Sequence, residues 1–237
     1  MPENSALPHL EPVGRDRAAP PAVVLVLHGG RAHSRESGER KRLPYRRMVP
    51  FARALDAAAA GPAVFMLRYR FRGWNAPAKD PLRDAQWALA ELAERFPGVP
   101  VALVGHSMGG RAALGAAAAS DVVAVCALAP WLDDSDPVVQ LDGRTVLIAH
   151  GDRERYTDPA RSYDYALRAK ERGVRICRFD VPGAGHFMVV RSRDWHALTR
   201  RFVLGVLGIE PEDPVIANAL RQPSSGGLRA VLTGAHR

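Results

Sequence analysis

Short apolar runs rich in valine recur along this 237-residue chain and constrain its fold more than any other feature. A continuous apolar run of this length predicts a strand that is buried on both faces. Helical stretches at 81–96, 111–119, 158–172 and 195–207 alternate with these runs. The pattern therefore predicts an α/β fold, a mainly parallel sheet of about six strands with helices on both faces. The six runs are 22–27, 63–68, 101–104, 122–128, 145–149 and 174–179.

Length and composition are those of one compact domain with tails. Hydrophobic residues make up 47% of the chain and charged residues 24%, which is enough apolar surface for a real core. We expect a flexible, proline-rich N-terminal arm at 1–21, the domain at 22–210 and a C-terminal tail at 211–237. No uninterrupted apolar stretch approaches the roughly 18 residues of a transmembrane helix, so no membrane span is predicted.

Cysteine usage and the start of the chain indicate a reducing compartment. The two cysteines, Cys126 and Cys177, each lie in a predicted strand, and they provide neither a disulfide scaffold nor a thiolate cluster for zinc. The polar, proline-rich first 20 residues do not have the pattern of a secretory signal. We therefore expect a cytoplasmic protein, and the sequence offers no candidate metal site.

Positive charge is concentrated in one segment. The formal net charge is +8, and residues 31–53 hold eight basic side chains against two acidic ones. No nucleic-acid-binding motif accompanies them, so we expect no nucleic-acid partner. If this segment and the basic 68–72 segment border a ligand site, Arg31 is a candidate residue for binding an anionic group. The alternative is a solvated, arginine-rich surface.

The hexapeptide GHSMGG at 105–110 is the sharpest chemical signal. It follows one predicted strand and precedes a predicted helix, which is the setting of a nucleophile elbow. Glycines two residues before and after Ser107 let neighbouring backbone approach the sharp turn. This pattern predicts that Ser107 is a nucleophile, the alternative being a tight turn with an ordinary serine.

A second glycine-rich turn, His28-Gly29-Gly30, directly follows the first predicted strand. The carboxyl ends of parallel strands share one edge of a sheet, so this turn and the elbow should face the same pocket. The backbone N–H groups of Gly30 and Met108 then form a candidate oxyanion hole. The alternative is a turn needed only for chain reversal.

These motifs together resemble the α/β-hydrolase superfamily. The matching segments are HGGRAHS at 28–34, GHSMGG at 105–110, HGDRERYTDP at 150–159 and GAGH at 183–186, in the superfamily's order of nucleophile, acid and histidine. The resemblance covers roughly residues 20–210 and is greatest to small esterases and lipases similar to monoacylglycerol lipase and dienelactone hydrolase. It implies hydrolysis of an ester, thioester or amide without a cofactor.

His186 is the candidate general base, because the glycines at 183 and 185 give its loop the freedom to present an imidazole at the sheet edge. Two carboxylates, Glu154 and Asp152, lie in the turn where the acid belongs. The resemblance favours Glu154, although the superfamily usually has aspartate there, and Asp152 is the alternative. A third choice is the acidic cluster Asp133, Asp134 and Asp136.

Only residues 132–144 separate Trp131 from the next predicted strand, so no substantial lid is expected and the pocket should be open. Met108, Trp131 and Phe187 are candidate pocket walls, with core packing an equal alternative for Trp131. The predicted function is a serine carboxylesterase acting on a small-molecule acyl substrate. An acyltransferase or perhydrolase with the same triad, or a binding protein on the same fold, is the alternative.

Overall fold

A single sheet of eight strands organises the protein, and the computed structural model describes residues 7–233. The strand order is β1-β3-β2-β4-β5-β6-β7-β8, and all neighbours are parallel except β1, which runs antiparallel to β3. The strands are β1 His9–Val13, β2 Val23–Leu27, β3 Ala63–Arg68, β4 Val101–His106, β5 Val122–Leu128, β6 Thr145–Gly151, β7 Arg175–Val181 and β8 Ala230–Val231.

Helices cover both faces of this sheet. One core cluster holds the buried side chains of α2, α3 and α4, and a second cluster holds those of α1, α5 and α6. The helices are α1 Leu43–Asp56, α2 Asp80–Arg95, α3 Met108–Gly115, α4 Pro159–Glu171, α5 Ser192–Val206 and α6 Pro214–Arg221. The predicted α/β architecture, with a mainly parallel sheet between two helical layers, is confirmed.

Strand β2 shows why the apolar runs are continuous rather than alternating. Leu25 and Leu27 pack into the first core cluster, whereas Val24 and Val26 pack into the second. All five residues of the strand are buried. Each buried aliphatic side chain contributes roughly 1.5–3 kcal/mol, so both helical layers are needed to stabilise the strand.

The sheet has two strands more than the six expected, and one of them lies in the predicted arm. Residues 9–13 form β1 at the sheet edge, a place that tolerates Pro12. Glu11 is buried there because Arg40 and Arg68 pair with its carboxylate and Tyr45 donates a hydrogen bond to it. A strand held by a buried ionic network has no apolar run, so the sequence pattern did not predict it.

The predicted C-terminal tail also contributes to the fold. Asp213 caps α6 by accepting hydrogen bonds from the amides of Val215 and Ile216, each at 3.0 Å. Ile216 and Leu220 pack into the second core cluster, and β8 pairs with β7. The domain therefore extends beyond the expected boundary at residue 210. Residues 1–6 of the arm and 234–237 of the tail lie outside the described residues.

The connection from β5 to β6 decides how open the carboxyl edge of the sheet is. It spans residues 129–144 and holds one short 3₁₀ turn, Val139–Leu141, so the absence of a substantial lid over this edge is confirmed. The first part of the basic segment lies at the same edge, and its second part forms α1. Within residues 7–233, the helices lack the combined length and apolar character needed to cross a membrane.

Candidate active site

Ser107 lies at a sharp turn between β4 and α3, with φ 58° and ψ −120°. This strained backbone exists because the chain must reverse within one residue. A side chain at Gly105 would lie 2.2 Å from the carbonyl oxygen of Gly109, and one at Gly109 would lie 2.4 Å from that of Leu27. Both positions therefore require glycine, which accounts for the G-x-S-x-G spacing.

A chain of hydrogen bonds joins Ser107, His186 and Glu154. Nε2 of His186 lies 3.0 Å from Oγ of Ser107, and Nδ1 lies 2.8 Å from Oε2 of Glu154. His186 is 8% exposed, and the carboxylate side chain of Glu154 is fully buried. In the tautomer that fits these contacts, Nδ1–H donates to the carboxylate and Nε2 accepts from the serine hydroxyl. The imidazole is thus placed to take the serine proton.

The surroundings of Glu154 keep its carboxylate ionised. Burial by itself raises the pKa of Glu154, but the hydrogen bonds from His186 and from the amide of Tyr156 outweigh burial and hold the pKa well below its usual range. Oε1 accepts from the amides of Arg155 and Tyr156, each at 2.7 Å, and from that of Thr157 at 3.3 Å. This leaves Oε2 facing the imidazole.

The other candidate acids have different partners. Asp152 accepts a hydrogen bond from the amide of Gly183 at 2.7 Å, which ties its turn to the loop that carries His186. Asp136 pairs with Arg111, and Asp134 pairs with Arg161. Within residues 7–233, Glu154 is the carboxylate in hydrogen-bond contact with His186.

The turn at His28-Gly29-Gly30 lies against the elbow. A Cβ at Gly29 would be 3.4 Å from Cβ of Ser107. Arg31 donates its amide to the carbonyl of Arg72 at 2.8 Å, so that N–H is already used. By contrast, the N–H groups of Gly30 and Met108 donate no hydrogen bond within the described chain. Both amides are therefore free to donate to an oxyanion beside Ser107.

Replacing Gly30 with alanine is expected to lower kcat by about 10²–10³-fold, the size of losing one oxyanion donor. The new Cβ would lie 2.2 Å from the carbonyl oxygen of Arg72 and 2.4 Å from Cε of Met108, so the turn must shift. Ester hydrolysis measures the effect, and the urea-unfolding midpoint shows whether the variant remains folded. Full activity in a folded variant would mean that the Gly30 amide does not face the reacting carbonyl.

Two buried histidines support the site although the sequence pattern assigned them no role. Nε2–H of His106 donates to the carbonyl oxygen of His186 at 2.9 Å and so holds the backbone of the base. Nε2 of His150 lies 3.7 Å from Oε2 of Glu154, and its ring is hydrogen-bonded to Ser162 and Thr157. Their positions, directly before Ser107 and four residues before Glu154, were the available signal.

Burial makes three histidines near the site, His28, His106 and His150, sensitive to acid. Burial lowers the pKa of His106 to about 3 and of His28 to about 4, and it also lowers the pKa of His150. Each is neutral when folded but binds a proton when unfolded below about pH 6.5. Their contribution to stability is therefore complete above pH 6.5 and is lost as the pH falls, at up to about 1.4 kcal/mol per pH unit for each histidine.

We expect the free energy of unfolding to fall by about 2 kcal/mol between pH 7 and pH 6, measured by urea denaturation. His106→Gln keeps a donor for the carbonyl of His186 but cannot be protonated, so it should remove about a third of that fall. An unfolding free energy that stays constant over this pH range would show that these histidines are not held neutral.

The predicted wall residues differ in how they meet the site. Phe187 is 42% exposed and its ring lies 5.5 Å from that of His186. Tyr156, which sequence reasoning missed, lies 5.4 Å from the imidazole and 4.8 Å from Phe187. Trp131 instead packs with Trp74 around the guanidinium of Arg111, although its amide donates to the carbonyl of Ser107. Phe187 and Tyr156 thus flank the base.

Comparison with known proteins identifies the family of this chain. A model of the alpha/beta hydrolase family matches residues 23–236, which is most of the chain. The chain belongs to the alpha/beta hydrolase family. Comparison with curated proteins found no match. Among residues 7–233 of this alpha/beta hydrolase, no cluster of histidine, cysteine or carboxylate side chains is arranged to hold a metal ion.

Solved structures of similar fold include esterases and a serine hydrolase described as lacking a lid. Est1E from Butyrivibrio proteoclasticus aligns with a TM-score of 0.63 and 17% identity over 85% of this chain and 94% of its own. A serine hydrolase without a lid from Xanthomonas campestris aligns with a TM-score of 0.62 and 22% identity, over 87% of this chain and 90% of its own. An acetyl ester-xyloside bifunctional hydrolase from Caldicellulosiruptor lactoaceticus aligns with a TM-score of 0.66 and 17% identity, over 88% of this chain and 91% of its own. At these identities the likeness establishes the fold.

Proposed function

We propose that this alpha/beta hydrolase is a serine carboxylesterase that cleaves small esters through an acyl-enzyme on Ser107. The observation that carries the proposal is the chain of hydrogen bonds from Ser107 through His186 to Glu154, with distances of 3.0 and 2.8 Å. A serine at an elbow, a base and an orienting acid are the parts that nucleophilic acyl transfer requires.

In the proposed mechanism, Oγ of Ser107 attacks the ester carbonyl while Nε2 of His186 takes its proton. Glu154 holds the imidazole in the required tautomer and stabilises the imidazolium. The amides of Gly30 and Met108 stabilise the tetrahedral oxyanion. The imidazolium then protonates the departing alcohol, and water, activated by the same histidine, attacks the acyl-enzyme to release the acid and regenerate Ser107.

The surroundings of the site favour hydrolysis of small esters. The short β5–β6 connection leaves the sheet edge open to water, which competes with any other acyl acceptor and so disfavours an acyltransferase or perhydrolase. A cavity of about 220 Å³ beside His186, lined in part by Tyr156 and Phe187, has room for a short acyl or aryl group. Ferulic acid bound to Est1E and the acetyl ester hydrolase of similar fold are in keeping with an ester substrate.

Labelling of the intact protein with a fluorophosphonate tests the proposal. We expect a single adduct by mass spectrometry, absent in Ser107→Ala, together with turnover of 4-nitrophenyl acetate and butyrate. Fluorophosphonates react with activated serines, so an ordinary buried serine would not be labelled. Neither adduct nor turnover in the folded protein would leave a binding protein on this fold as the better interpretation.

A further inference from the structure

A basic cavity opens beside the turn that carries Gly30. Its volume is about 410 Å³, and Gly30 belongs to its lining. Four cationic side chains share that lining: Arg31, Lys41, Arg42 and Arg72. Basic residues of the sequence segments 31–53 and 68–72 therefore converge beside the turn that carries Gly30.

Acidic partners neutralise only part of this charge. Oε2 of Glu36 pairs with Nη2 of Arg42 at 3.0 Å and with Nη2 of Arg72 at 3.1 Å. Glu39 pairs with Lys41 at 3.0 Å. Two carboxylates thus face four cations, and Arg31 has no ion-pair partner among the residues that the structure describes. The cavity retains an excess of positive charge for a ligand to neutralise.

One donor in this lining is buried and unsatisfied. Nε of Arg42 has no hydrogen-bond partner within residues 7–233, although the neighbouring Nη2 is paired with Glu36. A buried donor without an acceptor destabilises the folded protein. A ligand that brings oxygen acceptors into the cavity would satisfy this donor. On a purely solvated arginine surface, water would already do so.

The backbone of Arg31 is fixed relative to the reaction. Its amide donates to the carbonyl of Arg72, and its own carbonyl accepts from the amide of Trp74, both at 2.8 Å. Arg31 directly follows Gly30, whose N–H faces the oxyanion in the proposed mechanism. A substrate whose carbonyl oxygen lies at that amide therefore places groups a few bonds away within reach of the Arg31 side chain.

We propose that the substrates of this enzyme are esters that carry a carboxylate within a few bonds of the scissile carbonyl, and that Arg31 is the main residue that recognises it. This inference rests on the proposed esterase function. The planar guanidinium matches a carboxylate with two parallel hydrogen bonds, which the compact ammonium of lysine cannot provide. The remaining cations of the cavity, led by Arg42, hold the same anion in place.

Two matched ester pairs test this substrate class. 4-Nitrophenyl hydrogen glutarate is compared with its neutral methyl ester, and 4-acetoxybenzoate is compared with methyl 4-acetoxybenzoate. The first pair places the carboxylate on the acyl side, and the second places it on the leaving group. We expect kcat/KM for the charged member of at least one pair to exceed that of the neutral member by about 10-fold or more, because charge-assisted hydrogen bonds stabilise binding.

Substitutions then assign the effect to Arg31. Arg31→Gln should lower the ratio of charged to neutral kcat/KM by roughly 10–100-fold, the size of losing a hydrogen-bonded charge pair. Arg31→Lys should give an intermediate ratio. Arg35→Gln is the matched control, because Arg35 is an exposed arginine of the same segment that does not line the cavity, and it should leave the ratio unchanged.

The outcomes separate this inference from the function on which it rests. Equal kcat/KM within both pairs, or equal ratios for Arg31→Gln and Arg35→Gln, would overturn the inference. Labelling of Ser107 and turnover of neutral esters would in that case still support the esterase function. Loss of both labelling and turnover in the folded wild type would overturn the esterase and the inference together. Urea-unfolding midpoints of all variants exclude a loss of ratio that comes from unfolding.

Discussion

Replacing Ser107 with alanine is expected to lower kcat for 4-nitrophenyl acetate by about 10⁶-fold, the size seen when a serine nucleophile is removed from such a triad. In the proposed mechanism the hydroxyl forms the acyl-enzyme, and its hydrogen bond to Nε2 of His186 activates it. Without it, water must attack directly, and only the oxyanion donors and binding remain to accelerate the reaction.

The fold should survive this substitution. Alanine keeps the Cβ at the turn, so the strained φ of 58° costs the same in both proteins, and the unfolding midpoint should change little. His186→Ala combined with Ser107→Ala should cost no more than Ser107→Ala alone, because the two residues act as one unit. A variant that keeps a tenth or more of the activity would show that another group is the nucleophile.

The elbow and the parallel sheet could be predicted because each leaves a short, contiguous pattern in the sequence. A Cβ at Gly105 would lie 2.2 Å from the carbonyl oxygen of Gly109, and one at Gly109 would lie 2.4 Å from that of Leu27, so both positions are glycine and the turn leaves a short pattern in the sequence. The apolar runs are similarly explicit, because a strand between two helical layers must be apolar on both faces. Their order along the chain then placed His28 and Ser107 at one edge.

Elements that depend on distant partners could not be predicted in this way. Strand β1 is held by Glu11, whose partners Arg40, Tyr45 and Arg68 lie 29 to 57 residues further along the chain. Nothing next to Glu11 marks it as buried. The hydrogen bond that holds the backbone of His186 also joins residues far apart in sequence, since its donor, His106, lies 80 residues earlier in the chain.

The two acids of one turn are likewise distinguished only by distant partners. Asp152 and Glu154 are two residues apart, and both are common in turns. The separating fact is the direction of each side chain: Asp152 binds the amide of Gly183, whereas Glu154 binds Nδ1 of His186. The additional methylene of glutamate lets Oε1 bond with the amides of its own turn while Oε2 reaches the imidazole.

Glu154→Gln is expected to lower kcat by about 10⁴-fold, since replacing the acid by its amide in a triad reverses the histidine tautomer. The amides of Arg155, Tyr156 and Thr157 all donate to the position of Oε1, so the glutamine oxygen must take that position. Its NH₂ group then faces Nδ1 of His186. The ring can accept that donor only with Nδ1 unprotonated, which puts the proton on Nε2 and prevents His186 from taking the proton of Ser107.

Asp152→Asn is the matched control, two residues away in the same turn. Asparagine keeps an oxygen that accepts from the amide of Gly183, so kcat should change by no more than about 3-fold, the usual scale of an exposed substitution. Steady-state hydrolysis of 4-nitrophenyl acetate by both variants measures the contrast, with urea denaturation as the check on folding. A larger loss in Asp152→Asn than in Glu154→Gln would assign the acid to Asp152. Comparable small losses in both would mean that the carboxylate orients the imidazole without being needed for proton transfer, and that the tautomer is held by other contacts of His186.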